Sequence, residues 1–185
     1  FAVIFDSARK TFRNAIYSDY KANRSEAPDD LIPQFEYIRK SVLAFNLPSV
    51  ELLNYEADDL IATYVDQILK KGANVTIVSS DKDLMQLFRN KVRIFDPMKN
   101  KFISEEDVQN KFGVDSSKVI DVQSLAGDSS DNVPGVPGIG VKTAAELINK
   151  YGNLEKLLEN AHEIKQNKRR ETLIENKDKA LISKQ

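Results

Sequence analysis

The stretch "YEADDLIATYVDQILKKGANVTIVSSDKDLMQLFRNKVRIFDP" (55–97) switches its hydrophobic period repeatedly, and that alternation limits the available folds. Its first part sets Leu60, Ile61, Tyr64, Val65, Ile68 and Leu69 on one helical stripe, stopped by Lys70, Lys71 and Gly72. "ANVTIV" then reads as a strand that feeds a helix through "SSDKD", and "KVRIFDP" as a second strand closed by Pro97. Strand and helix alternating this closely predict a parallel α/β sheet. Upstream, "FAVIFD" predicts a buried strand stopping at Asp6. "DDLIPQFEYIRKSVLAFNL" predicts a helix begun by Asp29 or Asp30, with Leu31, Phe35, Ile38, Val42 and Phe45 on its core face. The basic, aromatic stretch between them lacks a persistent core face and is expected to be mobile and partly helical. From "SEEDVQNKFG" onward the pattern is purely helical with Gly-rich joints, which sets an expected subdomain boundary near 98–104.

Composition removes several classes of chemistry. The chain has 185 residues, 41 % hydrophobic and 30 % charged, ordinary for a soluble globular protein with one core or two small ones. No apolar run approaches the roughly 20 residues that cross a bilayer. With no cysteine there are no disulfides, thiolate zinc sites or thiol nucleophiles, which fits a cytoplasmic location. The single histidine, His162, lies in polar "ENAHEIKQNKRR" and reads as a solvated helix residue. Hydrolysis in such a chain must run on carboxylates, lysines, arginines and metal-activated water.

A net charge of −1 argues against a polyanionic partner, but its distribution does not. Residues 1–24 carry Arg9, Lys10, Arg13, Lys21 and Arg24 against Asp6 and Asp19, and residues 161–185 carry seven basic side chains against four acidic. Acidic residues gather between these basic ends: Asp6; Glu56, Asp58 and Asp59; Asp81 and Asp83; Asp128 and Asp131. Singly, each has a local explanation as a helix-dipole partner, cap or turn residue. In an open α/β sheet, however, the carboxyl ends of strands line one crevice, and Asp6 and Asp81 each end an expected strand. So many carboxylates on one edge need cations. Hard Mg2+ or Mn2+ ions suit them, and two such ions about 4 Å apart are the usual device for phosphodiester cleavage. No EF-hand calcium loop appears.

"GVPGIGVKTAAELINKYG" (135–152) holds four of the seven glycines, Gly135, Gly138, Gly140 and Gly152. Gly138 and Gly140 can bring backbone N–H groups close to an oxyanion, and the helix starting near Val141, Lys142 and Thr143 adds a positive dipole end and a full charge. Such a site reads phosphate, not base sequence. The alternative is a helical hairpin whose glycines only allow close packing.

In order and spacing, "YEADDLIA", "VSSDKDLMQL" and "LAGDSSDNVPGVPGIGVKTAAELI" resemble the motifs of the flap endonuclease / 5′-nuclease superfamily. "FDSARKTFRNAIYSDYKANR" is most similar to the amino-terminal 5′→3′ exonuclease domains of bacterial DNA polymerase I. The resemblance implies a PIN-like α/β core (1–103) with a helical arch at about 12–45, then a helix–hairpin–helix subdomain (104–185) gripping duplex DNA. Asp6, Glu56, Asp58 and Asp81 would serve one ion, and Asp83, Asp128 and Asp131 the second, with Asp59 adjoining. Lys21 and Arg24 would steady the scissile phosphate as catalytic residues, and Arg13 would be a further phosphate contact. Tyr20 would stack on flap bases, whereas Phe12 and Tyr17 read as anchors of the segment. Potassium would sit near Gly138 and Gly140. The implied substrates are 5′ flaps, nicked or gapped duplex and RNA primers on DNA, handled by a monomer fused to a polymerase portion. The family begins with a strand carrying a metal-binding aspartate well before Asp6, so the chain is expected to be a piece of a longer protein. A stand-alone flap endonuclease and a non-catalytic DNA-backbone-binding module are the other readings. A PIN-type ribonuclease would leave the glycine hairpin unexplained.

Overall fold

The structure, a computed structural model, describes residues 1–185. The first half runs β1 (Val3–Ile4), α1 (Arg13–Ile16), α2 (Ile32–Ala44), β2 (Ser49–Val50), α3 (Ala57–Lys70), β3 (Val75–Val78), β4 (Val92–Asp96) and β5 (Lys101–Phe102). The strands form two small sheets. β1 pairs in parallel with β2, and β3 in parallel with β4, whose far edge takes β5 antiparallel. β5 carries no alternating pattern and is too short to be heard in the sequence. α3 forms where expected, with Leu60 and Val65 buried, Lys71 closing it and Gly72 following at φ +79°, although Tyr64 of the expected stripe is exposed.

Other expectations change. β1 is only half-buried and Phe1 is exposed. The stretch after β3 is a 3-10 turn, Asp83–Leu87, burying Leu84, Met85 and Leu87. α2 is a helix, yet none of its residues is buried, and Ile32, Phe35 and Ile38 stand in solvent. Polar contacts tether it: Arg39 pairs with Glu51, donates to the Asp6 carbonyl and lies over the Phe5 ring at 4.7 Å.

The second half is helical: α4 (Glu105–Phe112), α5 (Val119–Ala126), α6 (Val141–Tyr151), α7 (Leu154–Glu159), α8 (Asn167–Glu175) and α9 (Lys177–Lys184). One apolar cluster runs from Val65 and the β3–β4 residues Ile77 and Ile94 through Ile103 and Val108 to Leu173 and Ala180. Packing is therefore continuous across residues 98–104. His162 is exposed in a short 3-10 turn.

Candidate functional site

Three places bring the acidic groups into one region. The first is the start of α3. There Asp59 accepts a hydrogen bond from the Glu56 N–H (2.9 Å), and Asp6, at the end of β1, accepts one from the Ala57 N–H (2.6 Å). The second follows β3, where the Ser79 hydroxyl accepts from the Asp81 N–H and Asp81 accepts from the Asp83 N–H (2.9 Å). The third is the loop after α5, closed by a bridge between Asp128 and Val133.

The basic segment is stitched to that third loop. Lys21 adopts φ +56°, a left-handed conformation unusual for a side-chain-bearing residue, and its N–H bonds the Asp131 carbonyl at 2.8 Å. Asn23 donates to the Ser129 carbonyl, and Asn132 donates to the Asp19 carbonyl, each at 2.7 Å. Side chains complete the join. Lys21 Nζ lies 2.8 Å from Glu56 and 3.7 Å from Asp131, Arg24 pairs with Asp131, and the Tyr20 hydroxyl donates to Glu56 at 3.0 Å.

Two adjoining hollows result. One, of about 220 Å3, is lined by Arg13, Tyr20, Glu56, Asp58, Asp83, Asp128 and Asp131 among others. Its neighbour, of about 460 Å3, is lined by Arg24, Asp81, Lys82, Asp83, Asp128 and Asp131 among others. At about 30 Å3 per water, both have room for hydrated ions. Asp83, Asp128 and Asp131 face both hollows. Asp6 and Asp59 line neither. Asp59 spends its oxygens on a two-pronged clamp by Arg13 (2.7 and 2.9 Å) and on the Glu56 N–H, so it orients Arg13 and the start of α3.

The oxygen donors suit a hard divalent cation. Asp58 has no hydrogen-bond or ion-pair partner, and Asp81 has no cationic one. No three carboxylates close on one point, however. Lysine and arginine occupy them instead: Lys21 holds Glu56, Arg24 holds Asp131, and Lys82 bonds Asp128 while lying 3.4 Å from Asp83. Lys82 was not anticipated as a site residue, although its place between two aspartates in "SSDKD" was a signal. Neither was Gln123, whose amide donates to Asp83 at 2.5 Å from α5 and which no local pattern marks.

The charges register this crowding. Burial first, then the neighbouring Asp81, Glu56 and Asp83, raise the Asp58 carboxyl from 3.8 to about 6. Burial likewise raises Asp83, with Asp81 and Asp128 adding and Lys82 and Gln123 opposing. Burial and the Glu56 carboxylate keep the Tyr20 hydroxyl protonated. Asp59 stays low because its bonds to Arg13 and the Glu56 N–H outweigh burial. The folded chain thus binds the Asp58 proton more tightly than the unfolded chain does, so this group costs stability as pH rises from 3.8 towards 6. In chelating buffer at pH 8, Asp58→Asn should stabilise the chain by about 1–3 kcal/mol in urea denaturation, a gain that disappears below pH 3.8.

The glycines of the α5–α6 hairpin divide by role. Gly138 (φ +76°) and Gly140 are exposed, and a side chain at either would meet open space, so backbone there is open to approach. Lys142 is exposed on the first turn of α6, whose N-cap is Gly140, and Thr143 is half-buried beside it. Gly135 and Gly152 serve the fold instead: Gly135 packs backbone to backbone on Gly127, and Gly152 ends α6 at φ +98°. The open pair is the one that the sequence reading singles out, Gly138 and Gly140.

Residues 1–113 match the 5′-3′ exonuclease N-terminal, resolvase-like domain, and residues 114–185 match the 5′-3′ exonuclease C-terminal SAM fold. The chain belongs to the 5′-3′ exonuclease family. A DNA polymerase I of Rhizobium leguminosarum is 58 % identical over 183 residues, which are 99 % of this chain and 18 % of that protein. A 5′-3′ exonuclease of Buchnera aphidicola is 40 % identical over 187 residues, 98 % of this chain and 65 % of that protein. The chain therefore spans a minor part of the polymerases it matches and just under two thirds of this exonuclease. The T5 5′-exonuclease with bound zinc superposes with a TM-score of 0.85 at 25 % identity, over 99 % of this chain and 72 % of that one. The fold is also that of the T5 flap endonuclease solved with DNA and metal ions, at a TM-score of 0.84 and 24 % identity. No helix is long and apolar enough to cross a membrane.

Proposed function

We propose that the chain is the 5′-nuclease portion of a DNA polymerase I, hydrolysing phosphodiester bonds at 5′ flaps, nicks, gaps and RNA primers. The observation that carries this is the pair of adjoining hollows sharing Asp83, Asp128 and Asp131, with Lys21 and Arg24 both paired to Asp131. Glu56, Asp58 and Asp81 complete the set that would hold two Mg2+ or Mn2+ ions, with Asp6 beside it. When bound, such ions lower the pKa of water and neutralise charge on the phosphate. Lys21 and Arg24 stabilise the phosphate charge that builds during attack, a task histidine does elsewhere. Arg13 adds a phosphate contact, and Tyr20, stacked under Lys21 at 5.0 Å, offers a ring to a flap base.

Residues 104–185 hold the duplex by its backbone through the N–H groups around Gly138 and Gly140, with Lys142 and Thr143, and potassium would sit at this turn. Residues 1–103 supply the cleaving part, with 12–45 arching over the 5′ strand. The DNA polymerase I relatives support a chain continuous with a polymerase portion, and we take it to act as a monomer in the cytoplasm. The test is cleavage of a 5′-labelled flap substrate with and without Mn2+. Metal-dependent release of the flap is expected, and duplex binding without cleavage would favour a non-catalytic module. Lys142→Ala should weaken duplex binding across all sequences and reduce the salt slope of log K by about one in fluorescence anisotropy.

A further inference from the structure

We propose that Lys82 is a built-in counter-cation of the acidic site, holding Asp83 and Asp128 together and leaving when a divalent ion takes those carboxylates. The proposal rests on the functional reading that the two aspartates are metal ligands. Its own support is positional. The Lys82 ammonium bonds Asp128 and lies 3.4 Å from Asp83, two of the three carboxylates that face both hollows, brought there by different segments. Without this cation, Asp83 and Asp128 would have only Gln123 and the Ser130 N–H to offset their repulsion.

Two properties make Lys82 displaceable where Lys21 is not. Lys21 is locked by its left-handed backbone and by its N–H bond to Asp131, and its side chain is 16 % exposed. Lys82 has an ordinary helical backbone, its side chain is 35 % exposed, and it lines the larger hollow, which has room for its four-carbon stem to swing. A divalent ion on the same oxygens would repel the ammonium at short range, so one cation excludes the other. Lysine thus sets a threshold for metal loading and keeps the metal-free site folded.

The test is Mn2+ binding by calorimetry to the full chain, as wild type, Lys82→Met and Lys82→Arg. Losing one charge-assisted competitor predicts about tenfold tighter Mn2+ binding by the Met variant, with a lower melting temperature in chelator. The Arg variant, which keeps the cation, should stay near wild type. Equal or weaker binding by the Met variant overturns the proposal, as does an Arg variant as tight as the Met one. If neither wild type nor Met variant binds Mn2+, both the proposal and the functional reading fall. A second readout needs no variant. Acetylation of Lys82 in the wild-type chain, read by peptide mass spectrometry against Lys142, should rise severalfold on adding Mg2+, and an unchanged ratio overturns the proposal.

Discussion

Asp83→Ala should lower cleavage of a 5′-labelled flap by on the order of a thousandfold while duplex affinity stays within about threefold of wild type. Asp83 faces both hollows, so one deletion reaches both halves of the acidic set. A thousandfold loss corresponds to about 4 kcal/mol, the scale of charge stabilisation that divalent ions supply in hydrolysis. Binding is spared for a simple reason: removing a carboxylate takes away repulsion against phosphate, and the proposed duplex contacts lie on the α5–α6 hairpin. Asp59→Asn is the contrast. Its oxygens serve Arg13 and the start of α3, so its loss should cost about tenfold, through a misplaced Arg13. Matching thermal melts would show that both variants fold. Equal losses in the two would mean that the acidic residues do not divide as the geometry divides them.

What the sequence made legible was local or periodic. The α3 stripe and the β-branched runs of β3 and β4 announced themselves because burial imposes a period. The meeting of acidic groups followed from sheet topology, which puts strand ends at one edge. What stayed hidden depends on partners far along the chain. Asn23 reaches Ser129 across 106 positions, and Lys82 reaches Asp128 across 46, and neither residue's neighbours in sequence name that distant partner. The site therefore looked like an acidic crevice awaiting ions, whereas it is a mixed lattice in which Lys21, Arg24 and Lys82 already neutralise part of the charge. α2 failed in the opposite direction. Its period is helical, but a stripe of Phe35 and Ile38 says only that a face is apolar, not that anything covers it.

Gly135→Ala should destabilise the chain by about 3 kcal/mol or more, and Gly138→Ala by about 1 kcal/mol, although the two glycines share a turn and a positive φ. At Gly138 (φ +76°) a methyl group meets nothing within 4 Å, so only the left-handed backbone is charged for. At Gly135 (φ +56°) the methyl would lie 2.4 Å from the Gly127 nitrogen and 2.7 Å from the Ala126 carbonyl carbon. These are backbone atoms at the end of α5 and cannot rotate aside. The Gly127 N–H is also bonded to the Gln123 carbonyl, and the next residue, Val136, bonds the Leu125 carbonyl at 2.7 Å, so any shift breaks helix-ending bonds. Gly135 further donates to the Ser183 hydroxyl of α9, which extends the disturbance to a third helix. Urea midpoints at unchanged m-values would measure both losses. Nearly equal losses would mean that the Gly127–Gly135 contact yields and that the hairpin is held by helix packing alone.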